Sequence, residues 1–241
     1  MIERLEEGGI GVINMDNEFI QSYSIHNKNA KIVSYGIQNE KADYRAKDIR
    51  YTQNGSEFTV VYKDEQIPMG TKLLGELNIL NILSAVAVAR ELNIPWETIQ
   101  RAVKTMKQVE HRLELKIINR RRFIDDAFNS NPVGSAMALN VLEMMPNKRF
   151  IVTPGMIDLG PKQEYYNKEF GKKMLGKADV VILVGKQQTK PIYEGLVETG
   201  FNMEHVYVVD TVKEAFNLVY TQASEVDTIL LENDLPDAFS H

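Results

Sequence analysis

Cysteine is absent from the 241 residues, which excludes disulfides, thiolate zinc sites and thiol nucleophiles. Histidine is scarce, four in all, and no two stand at the spacing with which a helix presents a metal-binding pair. No stretch approaches the roughly 20 apolar residues that a membrane-spanning helix needs. The opening MIERLEEGG is too charged for a signal peptide. Neither charge sign dominates: the net charge is -5 with acids and bases interspersed, so no basic surface for nucleic acid is expected, although loops and helix ends can still take an anion. The phosphate-binding pattern G-x-x-x-x-G-K-[ST] is missing, as is the G-x-S-x-G nucleophile turn. Nothing in the chain looks able to hold a triphosphate and its magnesium alone.

What is present is ordinary globular material. Hydrophobic residues make up 44% and charged residues 25%, enough for a sizeable core in one large domain or two smaller ones. Two regions follow different patterns. From residue 10 to about 75 the chain reads mostly as strands: Ile10 to Met15, Lys31 to Ile37, Tyr44 to Thr52, Glu57 to Tyr62 and Glu65 to Met69, with Asn54-Gly55 as a hairpin turn. Gly8-Gly9 reads as the end of a helix. An apolar stripe from Ile79 to Ala89 predicts a helix over Asn78 to Leu92, and Pro95 opens another. After residue 112 strands and helices alternate. Strand-like runs are Leu113 to Ile118, Phe123 to Ile124, Phe150 to Thr153, Val180 to Val184, Val206 to Val209 and Thr228 to Leu231. Helical segments are Pro132 to Met145, Glu164 to Leu175, Lys190 to Glu198 and Val212 to Gln222. This alternation predicts a doubly wound α/β domain.

Four segments carry polar groups suited to chemistry. Asn78 and Asn81 lie three apart on one helix face, and a carboxamide offers both donor and acceptor to the edge of a purine; equally, Asn78 caps its helix and Asn81 bonds locally. Arg112, in His111-Arg112-Leu113-Glu114 at the joint of the two regions, suits a phosphate or a carboxylate, or a structural ion pair with Glu110 or Glu114. Asp125-Asp126-Ala127-Phe128-Asn129-Ser130-Asn131-Pro132 joins a strand to a helix, where α/β folds bind ligands. A carboxylate there can accept both hydroxyls of a ribose, and strand alternation lets only one of the two aspartates face it; the plainer reading is an Asx turn and a helix cap. Thr153 to Gly160 occupies the same rim, with Asp158 either orienting an amine or serving the turn.

Together, in this order and spacing, these segments resemble the Mur ligase superfamily, whose members build the peptide stem of peptidoglycan. The resemblance covers the whole chain and implies its fold: residues 1–111 as the C-terminal part of a central ATPase domain lacking the P-loop, and 112–241 as a Rossmann-like C-terminal domain. Asp125 to Pro132 is similar to the pattern DD-x-YNANP, with Phe128 for Tyr and Ser130 for Ala, and Gly155 to Gly160 resembles G-x-M-x-E-L-G with Asp158 for Glu. These two stretches lie nearest the branch that adds D-alanyl-D-alanine. Glu232 to Asp237 resembles a family terminus.

The resemblance implies that Asn78 and Asn81 contact adenine, with Leu77 standing where the family has histidine. It implies that Arg112 reaches the nucleotide phosphates, that Asp126 holds the ribose, and that Asn129 and Asn131 lie in the same ATP-facing loop. Asp158 falls on the amine-substrate side. Asn14 and Asp16 resemble an N-x-D signature and are expected to be structural. The implied reaction activates the carboxylate of a UDP-MurNAc-peptide with ATP and Mg2+ and joins D-Ala-D-Ala to it, in the bacterial cytoplasm. The P-loop, the magnesium ligands and a carbamylated lysine are expected upstream of Met1, so the missing N-terminal half is an implied partner and this chain alone is expected to be inactive. Two alternatives stay open: a non-catalytic nucleotide- or partner-binding module, and a ligase or amidating relative that uses another amine.

Overall fold

The computed structural model describes residues 2–52, 55–128 and 130–233, so Asn54 of the expected hairpin turn, Asn129 and the stretch beyond Asn233 lie outside the described residues. The chain forms two compact units, Met1–Lys107 and Gln108–His241.

The first unit is built on one five-stranded sheet in the order β1-β2-β3-β4-β5. Its strands are β1 (Ile10–Asn14), β2 (Lys31–Gly36), β3 (Tyr44–Thr52), β4 (Gly55–Tyr62) and β5 (Glu65–Thr71). β1, β2 and β3 run parallel, and β3, β4 and β5 form an antiparallel meander. Alternation along β4 and β5 buries Phe58, Val60, Ile67 and Met69 on one face. Against that face pack α2 (Glu76–Glu91) and α3 (Trp96–Lys104), through Ile79, Ile82, Leu83, Val86, Ile99 and Val103. One expectation is corrected, and one element was not anticipated. The N-terminal segment is a 3-10 turn, Ile2–Arg4, rather than the tail of an α-helix, although Gly8 is left-handed at φ 77. A short helix, α1 (Glu18–Ser22), which apolar periodicity does not reveal, starts where the Asn17 side chain accepts the N–H groups of Phe19 and Ile20.

Asn14 and Asp16 stitch this sheet together. Asn14 Oδ1 accepts the Asp16 N–H at 2.9 Å. The Asp16 carboxylate accepts three consecutive backbone N–H groups, from Ile37 at 2.6 Å, Gln38 at 3.0 Å and Asn39 at 2.8 Å. The turn after β2 passes so close that a Cβ on Gly36 would lie 2.7 Å from Asp16 Oδ1. Asp16→Ala would orphan three donors at once and is expected to cost the first unit about 2–3 kcal/mol, read as a lower urea midpoint at unchanged slope.

The second unit carries a six-stranded sheet in the order β10-β9-β8-β11-β7-β6. Its strands are β6 (Glu114–Ile118), β7 (Arg121–Asp126), β8 (Arg149–Thr153), β9 (Val180–Val184), β10 (Val206–Val209) and β11 (Thr228–Glu232). All run parallel except β6, which forms a hairpin with β7. The hairpin turn is Asn119-Arg120, both left-handed at φ 49 and 65, the pairing a two-residue turn requires. Arg121 and Arg122 therefore belong to β7 rather than to the turn. Their guanidinium groups are held by Ala223 O at 3.0 Å and Thr228 Oγ1 at 3.1 Å. The helices are α4 (Pro132–Glu143), α5 (Gln163–Lys173), α6 (Lys190–Thr199) and α7 (Val212–Gln222). Ala215 and Val219 of α7 pack on Phe123, Phe150, Val180, Ile182, Ile229 and Leu231. The alternate strand residues, Ile124, Ile151, Val181, Leu183 and Leu230, are also fully buried and so point to the opposite face, where α4 packs on β11 and α5 on α6. The sheet is thus covered on both sides, as doubly wound folds are.

Candidate functional site

In the first unit the segment before α2 sets the asparagine pair. Gly75 takes φ 90, which favours glycine, and α2 starts at Glu76, two residues before the start expected from the stripe. Asn78 is therefore not the cap: its Nδ2 donates to Leu74 O at 2.7 Å, fastening the helix start to a fully buried residue. Asn81, one turn on, is exposed, as is Leu77. Two clefts of this unit, about 770 and 590 Å³, line the sheet elsewhere and contain neither asparagine.

In the second unit the adjacent aspartates separate to opposite faces of β7. Asp125 is fully buried; its Oδ2 meets His111 Nδ1 at 2.9 Å and Lys116 Nζ at 2.7 Å, and its Oδ1 accepts the Ala127 N–H at 3.2 Å. It is a structural carboxylate. Burial opposes the charge on Lys116, but hydrogen bonds to Asp125 and Glu114 outweigh it and raise the lysine above its ordinary range.

Asp126 points to the α4 side at the carboxyl end of β7 and accepts the Leu113 N–H at 3.1 Å. Burial pushes its pKa up to about 6, against the pull of the Leu113 N–H and the Arg112 guanidinium. Arg112 stacks on Phe128, 4.4 Å from guanidinium carbon to ring centroid, and Phe128 is 59% exposed. Glu114 receives the His111 N–H at 3.2 Å. His111 and Leu113, on either side of Arg112, are both left-handed at φ 57 and 49; such conformations in branched or bulky residues gather at functional sites. Arg112, Asp126 and Phe128 thus form one cationic, acidic and aromatic group beside the carboxyl end of β7.

Asn131 is the N-cap of α4, its Oδ1 accepting the N–H groups of Val133 at 3.1 Å and Gly134 at 2.9 Å, with Pro132 in the first turn. Asp158 is exposed and left-handed at φ 60. The loop carrying it is pinned by Asn167, which accepts the Met156 N–H at 2.8 Å and donates to Met156 O at 2.9 Å and Gln163 O at 3.0 Å. A cavity of about 130 Å³ beside this loop is lined by Met156, Tyr165, Tyr166, Phe170, Glu169 and Lys173, with Pro132.

Three side chains on this rim have no role assigned from the sequence. Ser130 Oγ donates to Glu232 Oε1 at 2.6 Å, and the Ser130 N–H donates to Asn233 Oδ1 at 3.1 Å. Asn233 Nδ2 donates to Gly155 O. The available signal was position: Glu232 and Asn233 stand at the carboxyl end of an apolar strand. Among the described residues no three His, Asp or Glu side chains gather as a metal site, and no helix is long and apolar enough to cross a membrane.

Residues 1–89 match the family model for the Mur ligase middle domain, and residues 111–232 match the model described as Mur ligase, glutamate ligase domain. The UDP-N-acetylmuramate–L-alanine ligase of Dictyoglomus turgidum is 31% identical over 98% of this chain and 50% of its own length. The UDP-N-acetylmuramoyl-tripeptide–D-alanyl-D-alanine ligase of Escherichia coli is 28% identical over 76% of this chain and 41% of its own. Among solved structures, the MurF ligase of Thermotoga maritima in complex with ADP superposes with a TM-score of 0.78 at 20% identity, covering 97% of this chain and 52% of that one; this is a likeness of fold. The chain spans about half the length of the curated relatives it matches.

Proposed function

Given that the chain belongs to the Mur ligase family, we propose that it supplies the adenosine-facing wall and the amine-substrate unit of an ATP-dependent ligase that joins D-Ala-D-Ala to UDP-MurNAc-tripeptide. On this reading residues 1–111 are the later part of the central ATPase domain, without its P-loop, and residues 112–241 are the C-terminal domain. The P-loop and the magnesium ligands belong to the missing N-terminal half, and the enzyme works in the bacterial cytoplasm.

The observation that carries the reading is the grouping of Arg112, Asp126 and Phe128 at the end of β7. The ionised Asp126 accepts the two ribose hydroxyls. Arg112, held over the Phe128 ring, presents its fork toward the phosphates. In the first unit, taken by itself, Asn81 keeps an open carboxamide of the kind that suits an adenine edge, with Asn78 fixing the turn of helix that carries it. ATP, when bound, converts the substrate carboxylate to an acyl phosphate. The second unit supplies the amine-substrate surface, the loop bearing Asp158 facing the amine side.

A second reading, a different amine, is favoured by the match to an L-alanine ligase along nearly the whole chain. Mixing this chain with the N-terminal half and following phosphate release separates the two. We expect release only with both halves, ATP and UDP-MurNAc-tripeptide present, and with D-Ala-D-Ala rather than L-alanine. Release with L-alanine and UDP-MurNAc instead would establish the second reading. Nucleotide binding without release, with both halves folded, would leave only a binding module.

A further inference from the structure

The loop that carries the nucleotide-facing residues departs from the family pattern at Ser130, where the resembled motif has alanine, and the departure has a partner. Ser130 Oγ donates at 2.6 Å to Oε1 of Glu232, at the end of the neighbouring strand. Glu232 is 1% exposed, and its Oε2 has no hydrogen-bond partner among the described residues. In the β7–β11 register Glu232 stands directly opposite Asp126, so both carboxyl groups face α4.

Among the described residues, the groups around Glu232 leave it no cation of its own. From α4 and its entry come the hydroxyls of Ser130 and Ser135, and Ser135 Oγ also touches Met156 Sδ at 3.5 Å, from the loop after β8. From β7 comes Asp126, whose neighbouring cation is Arg112. His111 and Lys116 lie with Asp125 on the other face. A fully buried carboxylate with no cation beside it, facing a second carboxylate, is costly, and the cheap solution is for one of the two to keep its proton. The more deeply buried Glu232 is the one that does so: burial first, then the charge of Asp126, push its pKa up to about 8, whereas Asp126 lies at about 6.

We propose that Glu232 is a positioning residue of the nucleotide loop: as a neutral carboxylic acid it holds Ser130 in place and leaves Asp126 as the one negative charge of the pair. The adenosine-facing loop is then formed while Glu232 is protonated and loosens when it ionises. Asn233 adds the second tie, bridging Ser130 N–H to Gly155 O, so that the loops after β7 and β8 move together. The effect on nucleotide binding rests on the function proposed above; the proton on Glu232 does not.

The test compares the chain as it stands with Glu232→Gln, which mimics the neutral acid. Because the folded state raises the proton affinity of Glu232, its contribution to stability is whole below the ordinary value of 4.5, drains as the pH rises, and is gone above about 8. The melting temperature of the natural chain should fall across that window, and Glu232→Gln should flatten the fall. Infrared difference spectra should show a protonated carboxylic acid at neutral pH in the natural chain, absent from Glu232→Gln, and the protection of the Ser130 amide, its exchange relative to the intrinsic base-catalysed rate, should fall above about pH 8 only in the natural chain. In the ligase restored with its N-terminal half, ADP affinity near pH 9 should drop about tenfold in the natural protein and little in Glu232→Gln. An ionised Glu232 at neutral pH, or the same pH dependence in Glu232→Gln, would overturn the proposal. Absence of ADP binding at every pH would instead overturn the nucleotide reading, while the infrared and exchange results would still decide on Glu232.

Discussion

Asp126→Asn is expected to weaken ADP binding to the restored ligase about 100-fold. Two ribose hydroxyls would lose a charged acceptor, and hydrogen bonds to charged groups are worth about 1.5–3 kcal/mol each. The neutral amide still accepts the Leu113 N–H through its oxygen, and it removes the charge that opposes ionisation of Glu232. Melting temperature at neutral pH should therefore hold or rise while affinity collapses, a divergence that a merely structural carboxylate would not give. The unsubstituted protein should also lose affinity as the pH falls through about 6, where burial has moved the Asp126 carboxyl: the ribose needs the ionised form, and protonation takes it away. Calorimetric titration of ADP at several pH values checks both. An Asp126→Asn affinity within twofold of the natural one would remove Asp126 from the nucleotide site.

The second large effect concerns the contact between α5 and α6. A Cβ on Gly195 would lie 2.2 Å from Lys168 O, and one on Gly171 would lie 2.2 Å from Ile192 O. Each helix meets the other's backbone through a glycine, with no flexible side chain in between to give way. Gly195→Ala must push the helices apart, at a cost of about 3 kcal/mol, the upper end for overpacking. For a unit of this size that is about 10 °C in melting temperature. Because α5 directly follows the loop bearing Asp158 and carries Asn167, which pins Met156, displacement should also loosen that loop. Thermal melts of the two single alanine variants and the double variant provide the measurement. If the natural stability survives in all three, the close approach does not exist.

Much of this architecture can be read from local pattern, and the failures share a cause. β9, β10 and α7 run between the residues expected of them: buried β9 is continuously apolar, β10 is a short apolar run at the sheet edge, and Thr211 opens α7 with a capping box. β7 reads as only Phe123 and Ile124 because both ends are charged. Its Arg121 is held by carbonyls of the α7 region, its Arg122 by the Thr228 hydroxyl on β11, and its Asp125 by Lys116 and His111, partners no local window contains. The start of α2 was misplaced by two residues because Gly75, with its left-handed backbone, does the work expected of Asn78. The N-x-D pair was expected to be structural, and the three amides that Asp16 accepts agree. Within the candidate site, Arg112, Asp126 and Asn131 could be singled out because strand ends and helix starts have local signatures. Ser130 and Glu232 could not, because their bond joins positions 102 apart.

That separation also sets an order of events in time. β11 lies between β7 and β8 in the sheet, yet it follows every other strand of its unit in sequence. Until Thr228–Glu232 is made, β7 and β8 each present an open edge where a neighbour belongs, and such edges invite pairing with a second nascent copy. Closing the sheet requires a late, long-range insertion, which is intrinsically slow. Ser130 receives its two acceptors only with that insertion. A ribosome must therefore release almost the whole unit before the loop can take its working shape, and chaperone dependence should be concentrated in that interval.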